Sequence, residues 1–421
     1  MWCEPVIRLL RKFATSRRGN TTVLFAFSLP VLIGTAGLGV EAGYWQFQQR
    51  QLQTIADLSA YAGAVSLRNH ESESNAHNEA EAEALLHDMD ISRSTFSSAS
   101  PPQSGNFVND RSMEVVITHT LPRLFSQIFN STPVTFEVRA VATYEEEADA
   151  CVLALSHEDG AAINFFGSSN IQLLECEVMS NSIADDAVLV SGSTDISAPC
   201  INSVGGFAVN GGGSDVDLTA CSAPRTNLPR ALDPYADVDP PTLPTSCSNI
   251  PGGGGPHTVS PGASGVKRFC NGLSINSEVH FEPGVYVIDG GTFRLNANGA
   301  IYGEGVTFYL TDGAETHFNG NATVDLSAPT SGDFAGIVFF GDRDDTGADH
   351  TFNGTADSRI TGAIYTPASD ISFLGDFSGD NGCMQLVGYT VAVGGNANIT
   401  TDCSNAGIEW ASVPSDVRLV E

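Results

Sequence analysis

The chain has 421 residues, 42% of them apolar, with 49 acidic against 19 basic side chains and a formal net charge of −30. That apolar share supports a real core and excludes a disordered tail, while the acidic balance excludes nucleic acid as a partner, since phosphate binding needs clustered Lys and Arg. Forty-three glycines with only 16% charged residues imply many turns between short strands.

The first element in chain order is Thr21–Val40, TTVLFAFSLPVLIGTAGLGV, a charge-free run long enough to cross a bilayer as a helix. Arg8, Arg11, Lys12, Arg17 and Arg18 precede it, and every acidic residue except Glu4 follows it. The positive-inside rule then predicts a short cytoplasmic segment at 1–20, a membrane helix at 21–40, and export of the acidic remainder to a periplasmic or extracellular space. Two rivals are weaker. The run exceeds a secretory h-region and lacks an A-x-A cleavage site before Glu41, and Pro30, Gly34, Gly37 and Gly39 would weaken a buried soluble helix.

Residues 41–149 read as a stalk. Glu41–Arg68 continues the helix, with Tyr44 and Trp45 placed for an interfacial aromatic belt and Leu52, Ile55, Ala56, Leu58, Ser59, Ala62 and Val65 forming a small-residue stripe. That stripe suits core packing or lateral helix assembly, for which Gly34, Gly37, Glu41 and Asp57 are the candidate residues. A second, exposed helix is expected within His70–Asp90, then a break at Ser97–Asn106. Strands follow at Met113–Thr120 and Val134–Tyr144, flanking a short proline-opened helix at Pro122–Phe129.

Beyond Ala150 short apolar runs, such as Ile163–Phe166, Val306–Leu310 and Ile337–Phe340, alternate with turns of recurring type: FGSSN, VSGST, VNGGG, FNGNA, VGGNA. Phe293, Phe318, Phe352 and Phe373 recur loosely near such turns. The fold class is therefore a membrane helix and a small α+β unit followed by a mainly β region, a parallel β-helix in preference to a β-sandwich. Its expected parts are a first β segment at 150–223, a Pro/Gly-rich excursion or linker at 224–262, and a β-helical domain at 263–421.

Eight cysteines follow the membrane segment: Cys151, Cys176, Cys200, Cys221, Cys247, Cys270, Cys383 and Cys403. Taken as successive neighbours they close four loops of similar length, which suits disulfides in an oxidising compartment, although eight cysteines allow 105 connectivities. No C-x-x-C or Cys/His cluster has zinc spacing.

For chemistry, the densest acidic string is GDRDDTGADH. Asp342, Asp344, Asp345 and Asp349 surround Arg343 and precede His350, which reads as a solvated acidic loop, a calcium site, or the catalytic loop of a membrane-tethered polysaccharide-active enzyme. Nucleophile-elbow, zincin and Walker templates do not occur, so no catalytic residue or cofactor is assigned.

The start RRGNTTVLFAFSLPVLIGTAGLGVEAGYWQFQQRQLQTIADLSAYAGA resembles the TadE/TadG-like segment of Flp-type (tight adherence) pilus-assembly proteins. Arg17, Arg18, Gly19, Glu41 and Asp57 stand at that family's marked positions, and Leu121, Pro122 and Phe125 match its Leu-Pro-x-x-Phe continuation. The latter part, with PGVYVIDGGTF and GAIYTP, looks like the Gly-rich β repeat region attached to some of these proteins. The fifth residue counted from Asn20 is Leu24, where processed pilins carry Glu. The resemblance implies a non-catalytic, single-pass assembly component of a bacterial inner membrane, with pilus-assembly partners along the helix; the exported acidic β domain would meet envelope polysaccharide or other surfaces, and an adhesin is the alternative reading alongside the enzyme.

Overall fold

The computed structural model describes residues 20–69, 71–144, 148–250, 255–355, 357–375, 383–395, 397–400, 406–413 and 416–421. They form two compact units, one built from the chain up to 145 together with 416–421, the other from 146–415.

In the first unit α1 (Asn20–Arg68) is one continuous helix that passes through Pro30. Its two halves have opposite surroundings. Val23, Leu24, Phe25, Phe27, Ile33 and Val40 are exposed, whereas Leu52, Ala56, Ala60 and Ala64 are buried. The buried half repeats alanine every fourth residue, and so does α2 (Glu73–Leu86), through Ala76, Ala80 and Ala84. Methyl-sized side chains one turn apart let the two helices approach closely. The second helix is therefore not exposed all round, as its Glu-rich composition suggested. It is capped by Ser72, whose hydroxyl accepts from Asn75 N at 3.2 Å.

Both helices share a core with an antiparallel sheet in which β1 (Ser94–Ala99) pairs β2 (Ser112–Leu121), β2 pairs β3 (Val134–Tyr144), and β3 pairs a final short strand, Val417–Leu419. Alternation of Met113, Val115 and Ile117 with less buried residues marks β2 as expected. Two details depart from the sequence reading. Part of the expected break belongs to β1, whose hydroxyl-rich sequence STFSSA hid a strand; and the expected Pro122–Phe129 helix is only a single 3₁₀ turn at Ser126–Ile128.

The second unit is a parallel β-solenoid, and its parallel register excludes the sandwich alternative. Each coil contributes strands to successive faces, as in Glu278–Phe281, Gly284–Asp289 and Thr292–Leu295. One face contains nine strands. Inward side chains form an aromatic ladder, with ring centroids 5.1 Å apart for Phe293 and Phe318, 5.5 Å for Phe318 and Phe352, and 4.8 Å for Phe339 and Phe352. These edge-on contacts add to the burial of each ring.

The coils do not stack in chain order. Coils from His257 to Thr400 stack one on the next in sequence order, but the strand Met384–Gly388 then pairs with Ala148–Ala154, and the coils of 148–218 continue the stack beyond it. The two β segments expected from sequence are thus one solenoid, entered and left mid-stack, where Ala411–Val413 pairs antiparallel with Ala148–Ala154.

This order requires a connection along the full stack, and residues 225–248 supply it. Arg225 bridges Asn202 at one end; Asn181 exchanges hydrogen bonds with Ala231; Tyr235 donates to Gln385 at 2.9 Å; and Pro244 O accepts from Arg268 at 3.0 Å near the other end. Beneath lies an apolar column in strand register, Val287, Tyr309, Phe340, Tyr365, Val387, Leu153 and Met179, with Arg268 and Asn202 at its ends. The segment is a packed strap and not a free linker: Ala231 and Tyr235 join that outer core. Covering the column explains why such strands as Ile337–Gly341 are buried on both sides.

Turns between coils stack as well. Gly375, Gly395, Gly167, Gly192 and Gly211 all take positive φ, and a Cβ on Gly192 would stand 2.3 Å from Gly167 O. No larger residue fits that column without moving backbone. The recurring turn strings FGSSN, VSGST, VNGGG and VGGNA are its sequence trace.

Candidate functional site

On α1, Gly37, Glu41 and Trp45 follow at helical spacing, and each meets the loop after β2. Glu41 is only 1% exposed. Its carboxylate accepts from the backbone N–H of Leu124 at 2.6 Å and of Ser126 at 2.8 Å, so one charge satisfies two donors where the 3₁₀ turn begins. One turn earlier the Phe125 ring lies on Gly37, where a Cβ would come within 2.7 Å of it. One turn later Arg123 lies over the Trp45 ring at 5.5 Å, while donating to Thr132 O at 2.8 Å. Together these three steps clasp the loop to the end of the apolar run.

Of the four helix residues singled out from sequence, the structure brings Gly37 and Glu41 together at this clasp. Gly34 faces open space. Asp57 is farther along, accepting from Gln53 at 2.8 Å, and Gln53 also donates to Arg139 O at 2.9 Å, tying α1 to β3. Arg123, Leu124 and Ser126 were not singled out. The Leu121-Pro122-x-x-Phe125 motif was their only signal; Glu41, the partner of Leu124 and Ser126, lies over eighty residues away, and Arg123 meets Trp45.

The acidic loop is knitted into the solenoid. Asp342 accepts from Tyr309 at 2.8 Å and Thr311 at 2.7 Å. Burial works against its ionisation, yet those bonds, the Asp344 N–H and the charge of Arg343 hold its carboxyl below the usual range. Burial and the neighbouring carboxylates push Asp345 the other way, against a bond from Gly313 N at 2.9 Å. Arg343 donates to Tyr235 O and Val238 O and lies over Phe340 and Tyr365, so it pins the strap. Asp344 and Asp349 remain at the surface. His350 is buried against Thr316, and burial lowers its pKa to about 4. Among the described residues no group of three His, Cys, Asp or Glu side chains could hold a metal ion.

Disulfides join Cys151–Cys176, Cys200–Cys221 and Cys247–Cys270, with Cα atoms 5.5, 5.3 and 5.5 Å apart. The first links neighbouring coils, and the third ties the strap to the end coil. Cys383 is also disulfide-bonded; Cys403 lies outside the described residues.

Fold and clasp define a class: a chain with a single candidate membrane helix among its described residues, near the N-terminus, carrying a small α/β unit and a β-solenoid. Residues 19–66, which contain Gly37, Glu41 and Asp57, match the family model described as "Tad: Putative Flp pilus-assembly TadE/G-like". That match and the apolar helix fit a membrane-anchored pilus component, and the match does not extend to the Gly-rich β region. No curated protein sequence and no solved structure matches the chain.

Proposed function

We propose that the protein is a non-catalytic, single-pass inner-membrane component of Flp/Tad-type pilus assembly, with a cytoplasmic N-terminus and an exported, disulfide-stapled solenoid that presents an acidic surface. The observation that carries this reading is the coincidence of the family match at 19–66 with a helix whose apolar half is left exposed by its own fold. Such a surface is stable only in lipid or against other helices. The buried Ala stripe is used within the chain, which leaves the exposed half, Gly34 included, for pilus-assembly partners. A photo-crosslinking residue at Gly34 should capture membrane components of the pilus apparatus in cells that build it. Capture of none, with the protein in the membrane fraction, would contradict the assembly role.

A second reading, contact with envelope polysaccharide, draws on one groove of the solenoid. There His280 stacks on Tyr302 at 4.9 Å and Arg359 pairs Asp325 at 2.9 Å, in adjacent coils along one strand register. An aromatic face beside paired charges suits a sugar ring. Loss of binding to envelope glycans in Tyr302→Ala, with the solenoid intact, tests it; unchanged binding removes the groove from the account.

A further inference from the structure

The loop held by Glu41 exposes its apolar side chains. Ile128 is 87% exposed and Phe129 81%, with Leu124 and Phe125 about half exposed beside them. Four large apolar residues at the tip of one short loop form a patch, which a water-facing turn does not need. Its position on α1 is fixed. The Phe125 ring rests on Gly37, and a helix rises 1.5 Å per residue, so this contact lies about 6 Å from Glu41 toward the middle of the apolar run. Leu38 and Val40, exposed on the same turns, continue the patch. If Gly37 stands in lipid, the ring stacked on it stands there too.

The polar groups agree with that depth. Glu41, the first charge after the apolar run, is closed off by two backbone donors, which lowers the cost of holding a carboxylate near hydrocarbon. Arg123 and Trp45 lie one turn further out, the level at which Arg and Trp favour a membrane interface. From these positions we infer that the Leu124–Phe129 loop is a second membrane-contacting element, inserted into the interfacial layer of the bilayer and set at a fixed depth by the Glu41 clasp. It rests on the reading that α1 spans the membrane. It adds that the chain grips the bilayer at two points, which fixes how the α/β unit is presented at the membrane surface, and that the Gly37 face is closed to partner helices.

The test uses the full chain in phosphatidylethanolamine/phosphatidylglycerol vesicles, with tryptophan introduced as Ile128→Trp, as Phe129→Trp, and as Phe27→Trp for the spanning helix, each read against the parent chain. The account expects the added emission at 128 and 129 to fall at least about twofold when lipids carry bromine near the headgroup end of the acyl chain, and to resist aqueous iodide. Phe27→Trp should be quenched only by deeply brominated lipid. Iodide quenching at 128 and 129 with lipid quenching at 27 overturns the loop insertion alone. Iodide quenching at all three overturns the spanning reading with it. Protection from both quenchers at 128 and 129 places the patch against protein and also overturns the inference.

Discussion

The two units reach stability by different routes. In the α/β unit the two helices meet through small side chains, Ala56, Ala60 and Ala64 on one and Ala76, Ala80 and Ala84 on the other, over the larger Met113, Val115, Ile117 and Val138 of the sheet, and charged bonds cross long sequence gaps: Glu41 to the 124–126 loop, Arg139 to Glu114 at 2.6 Å. In the solenoid a ladder of aromatic rings runs through an aliphatic core, its repeat is fixed by backbone at the turns, and every disulfide among the described residues belongs to it. The contrast teaches that the unit carrying the candidate membrane helix is tied together by carboxylates that reach across the chain, whereas the solenoid relies on stacked bulk and covalent staples.

Removing bulk from the solenoid should sharpen this contrast most. Phe339 is fully buried among Phe308, Phe318 and Phe352, so Phe339→Ala should cost about 3–5 kcal/mol there. Hydrogen exchange on the full chain should show the loss in 146–415 and unchanged protection in β2 and β3. Equal loss in both units would break the comparison. The staple ranks next. Replacing Cys151 and Cys176 together by Ala should lower the solenoid's unfolding free energy by about 2–4 kcal/mol, read from denaturant midpoints under non-reducing conditions.

Acid should act on the solenoid through His350. Its folded pKa of about 4 lies below the value near 6.5 in the unfolded chain, so the unfolded state takes up the proton first. The stability is complete above about pH 6.5 and declines as pH falls toward about 4, about 2 kcal/mol of it by pH 5. His350→Gln should flatten the melting temperature between those limits, and an unchanged slope would remove His350 as the cause. The smallest effect is expected at the clasp: Glu41→Gln leaves one acceptor oxygen for two donors, so the amides of Leu124 and Ser126 should exchange faster while the solenoid is untouched.

Sequence patterns revealed what local physics dictates. The charge-free run, the alternation in β2 and β3, the glycine turns and the evenly spaced cysteines each reflect an interaction within a coil or between neighbours. What stayed hidden depends on distance. Stacking 148–218 beyond 384–400 is decided by which coil ends match, and no periodicity encodes that choice. The strap reads as excursion or linker because five prolines punctuate 225–248 and GGGG follows at 252–255; Ala231 and Tyr235 are the apolar residues that could signal packing. Likewise the charges of GDRDDTGADH suggested a ligand, but Asp342 and Arg343 are spent on Tyr309, Thr311 and the strap. Glu41 was legible as a marked position, and its role was not, since its donors are backbone groups with no sequence signature.

The central claim, that α1 separates a cytoplasmic N-terminus from an oxidised, exported solenoid, is tested most directly by counting reactive thiols in cells. Without reductant, a membrane-permeant alkylating reagent should modify the membrane-bound protein at Cys3 alone of its nine cysteines, and an impermeant reagent applied from outside should modify none. Alkylation of Cys151, Cys176, Cys247 or Cys270 in the unreduced protein, or its recovery from the cytosol, would contradict the account.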